Sequence, residues 1–88
     1  METKERKDAR REILANFQFY IDERSRELFE GITTNVSSDG FSFLTKTMVE
    51  EGQTITITWH ALPDFSGQKA KVIWVRRGPR SVEAGSKI

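Results

Sequence analysis

The chain contains no cysteine. That removes disulfides, thiolate metal ligands and a cysteine nucleophile together, and it suits a reducing compartment such as the cytoplasm. There is one histidine, His60. With no second histidine and no cysteine beside it, the usual metal-ligand sets cannot be assembled. Serines are common, but no base accompanies them to make a nucleophile. No apolar run approaches the roughly 20 residues that cross a bilayer, and residues 1–11 lack the apolar stretch of a secretory signal. Neither of the glycine-rich phosphate loops, GxxxxGK[ST] or GxGxxG, occurs. Basic residues nearly vanish between 31 and 68, where Lys46 stands against Asp39, Glu50, Glu51 and Asp64. A track for a nucleic-acid polymer needs a broader basic face than that. The carboxylate pairs Asp22/Glu23 and Glu50/Glu51 fall in polar turns, where solvated surface is the ordinary outcome. The expectation is a protein that is not an enzyme, carries no cofactor, does not insert in membranes and works in the cytoplasm.

What is present is a single small domain. Eighty-eight residues at 36% hydrophobic support one modest core, because a chain of this size buries little more than about 60% of its unfolded surface. Positive charge collects at the chain ends. Lys69, Lys71, Arg76, Arg77, Arg80 and Lys87 face only Glu83 after residue 68, and Lys4, Arg6, Lys7, Arg10 and Arg11 are mixed with acids at the start. Residues 1–12 hold almost nothing apolar and read as a flexible, arginine-rich segment, since a short helix that is polar all round has no packing to hold it.

From Ile13 the pattern changes to period 2. Ile13, Ala15, Phe17, Phe19 and Ile21 share one face, which predicts a strand. Asp22 to Ser25 reads as a turn. A second alternation runs from Leu28 to Val36, a third short strand covers Phe41–Leu44, and a fourth covers Thr54–Trp59 with Ile55, Ile57 and Trp59 on its apolar face. Ala70–Val75 is mostly apolar and predicts a fifth strand buried on both sides. Val82–Ile88 is a weak sixth. Short strands separated by turn signals, with no helical pattern between them, predict an all-β fold. Closing the sheet removes its edges, so the expectation is a six-stranded antiparallel β-barrel over residues 13–88.

Two polar stretches stand out. Asn35-Val36-Ser37-Ser38-Asp39-Gly40 joins the second and third strands. Asn35 offers an amide donor and acceptor, Ser37 a rotatable hydroxyl, and Gly40 a position able to take positive φ for a tight reversal. By itself this is equally a well-made β-turn. Upstream lie Arg6 and Arg10, four residues apart, with Arg11 beside them. Guanidinium groups hold phosphates bidentately, stack on aromatic planes and pair with guanine O6 and N7.

Taken together, Arg6-Lys7-Asp8-Ala9-Arg10 and Asn35-Val36-Ser37-Ser38-Asp39-Gly40 resemble the RxxxR and (D/N)xSxxG motifs of PilZ domains. Phe41–Leu44 after the glycine, the turn Glu51-Gly52-Gln53, the run Val72-Ile73-Trp74 and the ending Ala84–Ile88 are similar to further family features. The resemblance spans about residues 5–88. It departs in Ile88, where the family has an aromatic, and in the lack of the C-terminal helix that often follows the last strand. The resemblance implies a PilZ-like barrel that binds the bacterial second messenger cyclic di-GMP. Arg6 and Arg10, with Arg11 nearby, would grip phosphates and guanines, Asn35 and Ser37 would touch a guanine, Gly40 would shape the turn, and Val36 would point inward. Ser38 and Asp39 would be spacers. Binding would change the surface offered to a downstream protein partner. Two alternatives stay open. One is a PilZ-like interaction module that binds no nucleotide. The other is a single-strand nucleic-acid binder stacking bases on Phe17, Phe19, Phe41, Phe43 and Trp59.

Overall fold

The computed structural model describes residues 11–24 and 27–88. Arg6 and Arg10 lie outside the described residues. Six strands follow in chain order: β1 (Arg11–Ile21), β2 (Phe29–Ser37), β3 (Gly40–Thr45), β4 (Thr54–His60), β5 (Lys69–Arg77) and β6 (Val82–Lys87). Single 3-10 turns cover Asp22–Arg24 and Pro63–Phe65, and no α-helix occurs among the described residues. All neighbouring strands are antiparallel, and the sheet closes on itself in the order β1-β2-β3-β6-β5-β4. Closure gives every strand two neighbours and so limits the exposed edge that is the liability of a small open sheet, although β4 and β5 pair only over Thr54–Thr56 and Lys69–Lys71. β1 begins two residues before the apolar alternation, because Arg11 and Glu12 already pair with Val36 and Asn35.

One face of β1 forms the centre of the ring. Phe17, Phe19 and Ile21 are fully buried and pack with Phe41, Phe43, Ile55, Ile57 and Val72. The Phe17 ring stacks on Phe19 at 5.3 Å between centroids and meets Phe41 and Phe43 edge-on at the same separation. Each such side chain contributes about 1.5–3 kcal/mol by leaving water. The four phenylalanines proposed as stacking platforms are therefore core, and only Trp59 of that set is open to solvent.

The inward set on β2 is not the most apolar one. Phe29, Gly31 and Thr33 face the ring interior, while Leu28 and Ile32 are exposed. Gly31 is inside because Phe17 fills the space above it: a Cβ there would lie 2.7 Å from Phe17 Cε1.

Two expectations are corrected. β4 keeps Ile55 and Ile57 inside, but Trp59 is 49% exposed and His60 takes the buried place. The β1–β4 register explains it. Gln18 pairs with Trp59 while Phe19 pairs with Ile57, so Thr58 is an extra residue and the alternation inverts beyond it. β5 is buried on one side only, with Ala70 and Val72 inside and Lys69, Lys71 and Ile73 outside. A closed sheet has one interior, and among the described residues no second layer covers its outer face.

Candidate functional site

The β2–β3 hairpin carries the polar turn. Ser37 pairs with Gly40, and Ser38-Asp39 make the two-residue link. Gly40 does not act as expected. Its φ is not in the left-handed region, which among the described glycines only Gly52 and Gly67 occupy. Glycine is needed there because β6 passes too close for a side chain: a Cβ on Gly40 would sit 2.1 Å from the Ser86 carbonyl oxygen. Asp39 does more than fill space. Its backbone carbonyl accepts a hydrogen bond from Ile88 N–H at 2.8 Å, and its Oδ1 lies 3.3 Å from Ser37 Oγ. The Ser37 hydroxyl also reaches the Gly40 carbonyl at 3.4 Å.

Beside this hairpin lies an open cleft of about 270 Å³ whose lining includes Asn35, Ser37, Ser42, Trp74 and Lys87. Asn35 is half-buried on β2, paired with Glu12 on one side and Ser42 on the other. Val36 packs against the core cluster although Ile32, of the same parity, is exposed; the β2–β3 register shifts between Thr33 and Asn35. The Trp74 indole packs against Gly85 of β6, where a Cβ would fall 2.1 Å from the indole Nε1. Arg76 Cζ stands 5.9 Å from the Trp74 ring centre, within cation–π range. Arg76 also pairs with Glu83 at 3.4 Å.

The charged residues lining the cleft are one acid, Asp39, and one base, Lys87, with a second lysine opposite the base. Lys71 and Lys87 are register partners on β5 and β6, and Lys87 is also the partner of Gly40. Like charges directly opposite on a sheet are unfavourable until an anion lies near them. Arg11 is the register partner of Val36, the residue between Asn35 and Ser37. The chain thus enters β1, directly after Arg10, alongside the Asn35–Gly40 stretch. Of the expected ligand-binding residues, Asn35, Ser37 and Gly40 lie together, and Arg11 occupies the adjoining strand position.

Two polar clusters lie elsewhere. His60 is 2% exposed. Leu62 N–H donates to its Nδ1 at 2.9 Å, which leaves the Nε2 proton to donate to Thr33 Oγ1 at 2.8 Å. The ring stacks on Phe17 at 5.2 Å, and burial holds its pKa below the ordinary 6.5. It is a neutral core histidine with both nitrogens satisfied. On the outer surface Lys69 Nζ donates to Asp22 Oδ2 and Thr56 Oγ1, both at 2.9 Å, and Thr56 donates to Asp22 Oδ1 at 2.7 Å. The Lys69 bond and then the Thr56 bond lower the Asp22 pKa. Among the described residues no group of three or more His, Asp or Glu is placed to hold a metal. No helix among them is long and apolar enough to cross a membrane.

Sequence reasoning passes over Trp74 in the cleft and the lysine pair beside it. The Lys71–Lys87 pair is 16 positions apart and exists only through the β5–β6 register. Trp74 reads as a core residue of an apolar strand. Its signal is the glycine that faces it across the sheet, which cannot be matched to it before the register is known. No family model, curated protein or solved structure matches this chain at a significant level.

Proposed function

We propose that the protein is a PilZ-like receptor for cyclic di-GMP, with the ligand held between the N-terminal arginines and the cleft beside the β2–β3 hairpin. One observation carries the reading. Arg11 pairs with Val36 and Glu12 with Asn35, so the strand that follows Arg6 and Arg10 in the sequence begins beside the Asn35–Gly40 stretch. That starting point supports assigning both motifs to one ligand.

The chemistry is consistent with an anionic purine ligand. Arg6 and Arg10 supply planar forks for phosphate and guanine. Asn35 presents an amide to a base edge, and Ser37 a hydroxyl. Lys71 and Lys87 add cations whose mutual repulsion a bound phosphate relieves. Charge-assisted hydrogen bonds contribute about 1.5–3 kcal/mol each, and fixing chain around the ligand costs about 1–2 kcal/mol per residue, so the two sums are of similar size and the affinity is expected to be moderate. Gly40 contributes indirectly, by letting β3 approach β6 and so setting the cleft wall. Occupation of the cleft would alter the surface around Trp74 and the hairpin, the change a downstream protein partner would read.

Calorimetry with cyclic di-GMP is the deciding experiment. Native protein is expected to bind, and Arg6→Ala, Arg10→Ala and Asn35→Ala to bind at least about tenfold more weakly, the loss of one charge-assisted contact. Native protein that fails to bind would point to the interaction-module reading. Unchanged affinity in the arginine variants would remove them from the site.

A further inference from the structure

We propose that the outer face formed by β1 to β4 is a self-association surface on which a second copy of this chain packs. Four large apolar side chains stand there in the open: Leu28 at 56% exposure, Ile32 at 43%, Leu44 at 38% and Trp59 at 49%. They line one groove of about 800 Å³. The register makes them a patch. Ile32 has Leu44 beside it on β3 and Asn16 beside it on β1, and Trp59 lies opposite Gln18 one step along. Contiguous apolar surface of this kind on a small domain marks an association site, whereas scattered single residues do not.

The bulge at Thr58 points the same way. Unbroken alternation would bury Trp59 beside Ile57; the extra residue sends the indole outward onto the patch instead. β-bulges of this sort re-aim side chains.

The charge of the groove selects the occupant. Its charged lining residues are one acid, Glu30, and one base, Lys46; its remaining polar residues are uncharged. A strongly acidic or basic partner finds no complement there. A two-fold symmetric contact requires a face that complements itself, and one acid with one base around an apolar strip meets that requirement. The ring closes, with β4 and β5 paired over Thr54–Thr56 and Lys69–Lys71, and the groove lies on a face of the sheet and not at that seam, so the copies pack face to face, as sheets in a sandwich do. A specific interface takes about 800 Å² from each partner, roughly one seventh of the 5825 Å² this chain exposes, so a dimer has to cover most of the β1–β4 face and not the groove alone. The patch is apart from the cleft that holds Asn35 and Ser37, so this proposal does not rest on nucleotide binding.

Sedimentation of the ligand-free full chain across low to high micromolar concentration tests it. The mass is expected to rise from 10.1 kDa toward twice that value. Ile32→Glu and Leu44→Glu are each expected to weaken association by about tenfold or more, with circular dichroism unchanged because both side chains point outward. Ile88→Glu, at 45% exposure, outside the groove and beside Asp39 on the hairpin side, is expected to associate like the native chain. If either glutamate variant does not fold, Trp59→Ser gives the same reading. A native chain that stays monomeric throughout overturns the proposal and leaves the face to a different protein. Undiminished dimerisation of Ile32→Glu and Leu44→Glu overturns it as well.

Discussion

The two sides of this small ring are built by different devices. At the hairpin side, Gly40 admits the β6 backbone and Gly85 the Trp74 indole, and the surface is polar, with Asn35, Ser37, Asp39 and Lys87 in the cleft and Lys71 opposite Lys87. At the groove side the surface is apolar, with Leu28, Ile32, Leu44 and Trp59, and is shaped by an extra residue in β4. The contrast teaches that a closed sheet with no covering layer must spend all its outer face on something. Here one part presents donors and cations, and the other presents hydrocarbon.

The sharpest way to break the hairpin side is Gly40→Ala. A methyl group 2.1 Å from the Ser86 carbonyl oxygen cannot be relieved by a flexible side chain, so β3 and β6 must separate. The expected cost is about 3 kcal/mol or more in a denaturant titration. Gly52→Ala sharpens the point. Nothing lies within 4 Å of its Cβ position, and its φ of 94° is the only obstacle, for a cost of about 1 kcal/mol.

Next in size is the effect on ligand. Arg10→Ala is expected to lower cyclic di-GMP affinity by about tenfold to a hundredfold, one charge-assisted contact. Lys46→Ala, on the groove side, is expected to leave that affinity unchanged. Equal losses in both would show a diffuse charge effect rather than a site, and calorimetry at two salt concentrations separates the two.

A smaller effect belongs to His60, whose inward place is the counterpart of the outward Trp59. Burial lowers its pKa, so the folded state binds the proton less readily than the unfolded chain. Stability is therefore at its full value above pH 6.5, falls as pH drops below it, and levels off under the folded-state pKa. Because His60 is the chain's one histidine, His60→Gln is expected to flatten this slope in denaturant midpoints measured from pH 7 downward. A slope that persists in the variant would place the titration elsewhere.

The smallest effect is expected at Asp22. Its pKa is lowered chiefly by the Lys69 hydrogen bond, so its contribution is present above its ordinary 3.8 and is lost as pH falls below that value. Lys69 is largely solvated, and exposed pairs contribute little. Asp22→Asn should shift the thermal midpoint only slightly, and less in high salt.

How legible was all this beforehand? β1 is evident from Ile13 to Ile21, because one-sided burial imposes period 2 on Ala15, Phe17, Phe19 and Ile21. The hairpin residues Asn35, Ser37 and Gly40 are evident as a polar interruption between apolar runs. The reason for Gly40 is not, since a close approach of β6 leaves no mark near residue 40. Trp59 reads as buried for a similar reason: it sits beside a register shift on β4, and an extra residue reverses inside and outside without changing the local composition. Ile73 keeps the plain alternation of β5 and is exposed because no second layer covers that face among the described residues.

The sequence by itself determined that the chain is all-β, where its six strands lie, and which polar residues cluster at the second turn. These follow from local alternation and turn chemistry, which neighbouring residues carry. Only the tertiary structure decided that Arg11 lies against Val36, that Lys71 faces Lys87, that Gly40 and Gly85 make room for other strands, and that Trp59 exchanges places with His60. Those depend on register between strands far apart in the chain, and a one-residue shift in register moves every side chain beyond it to the other face.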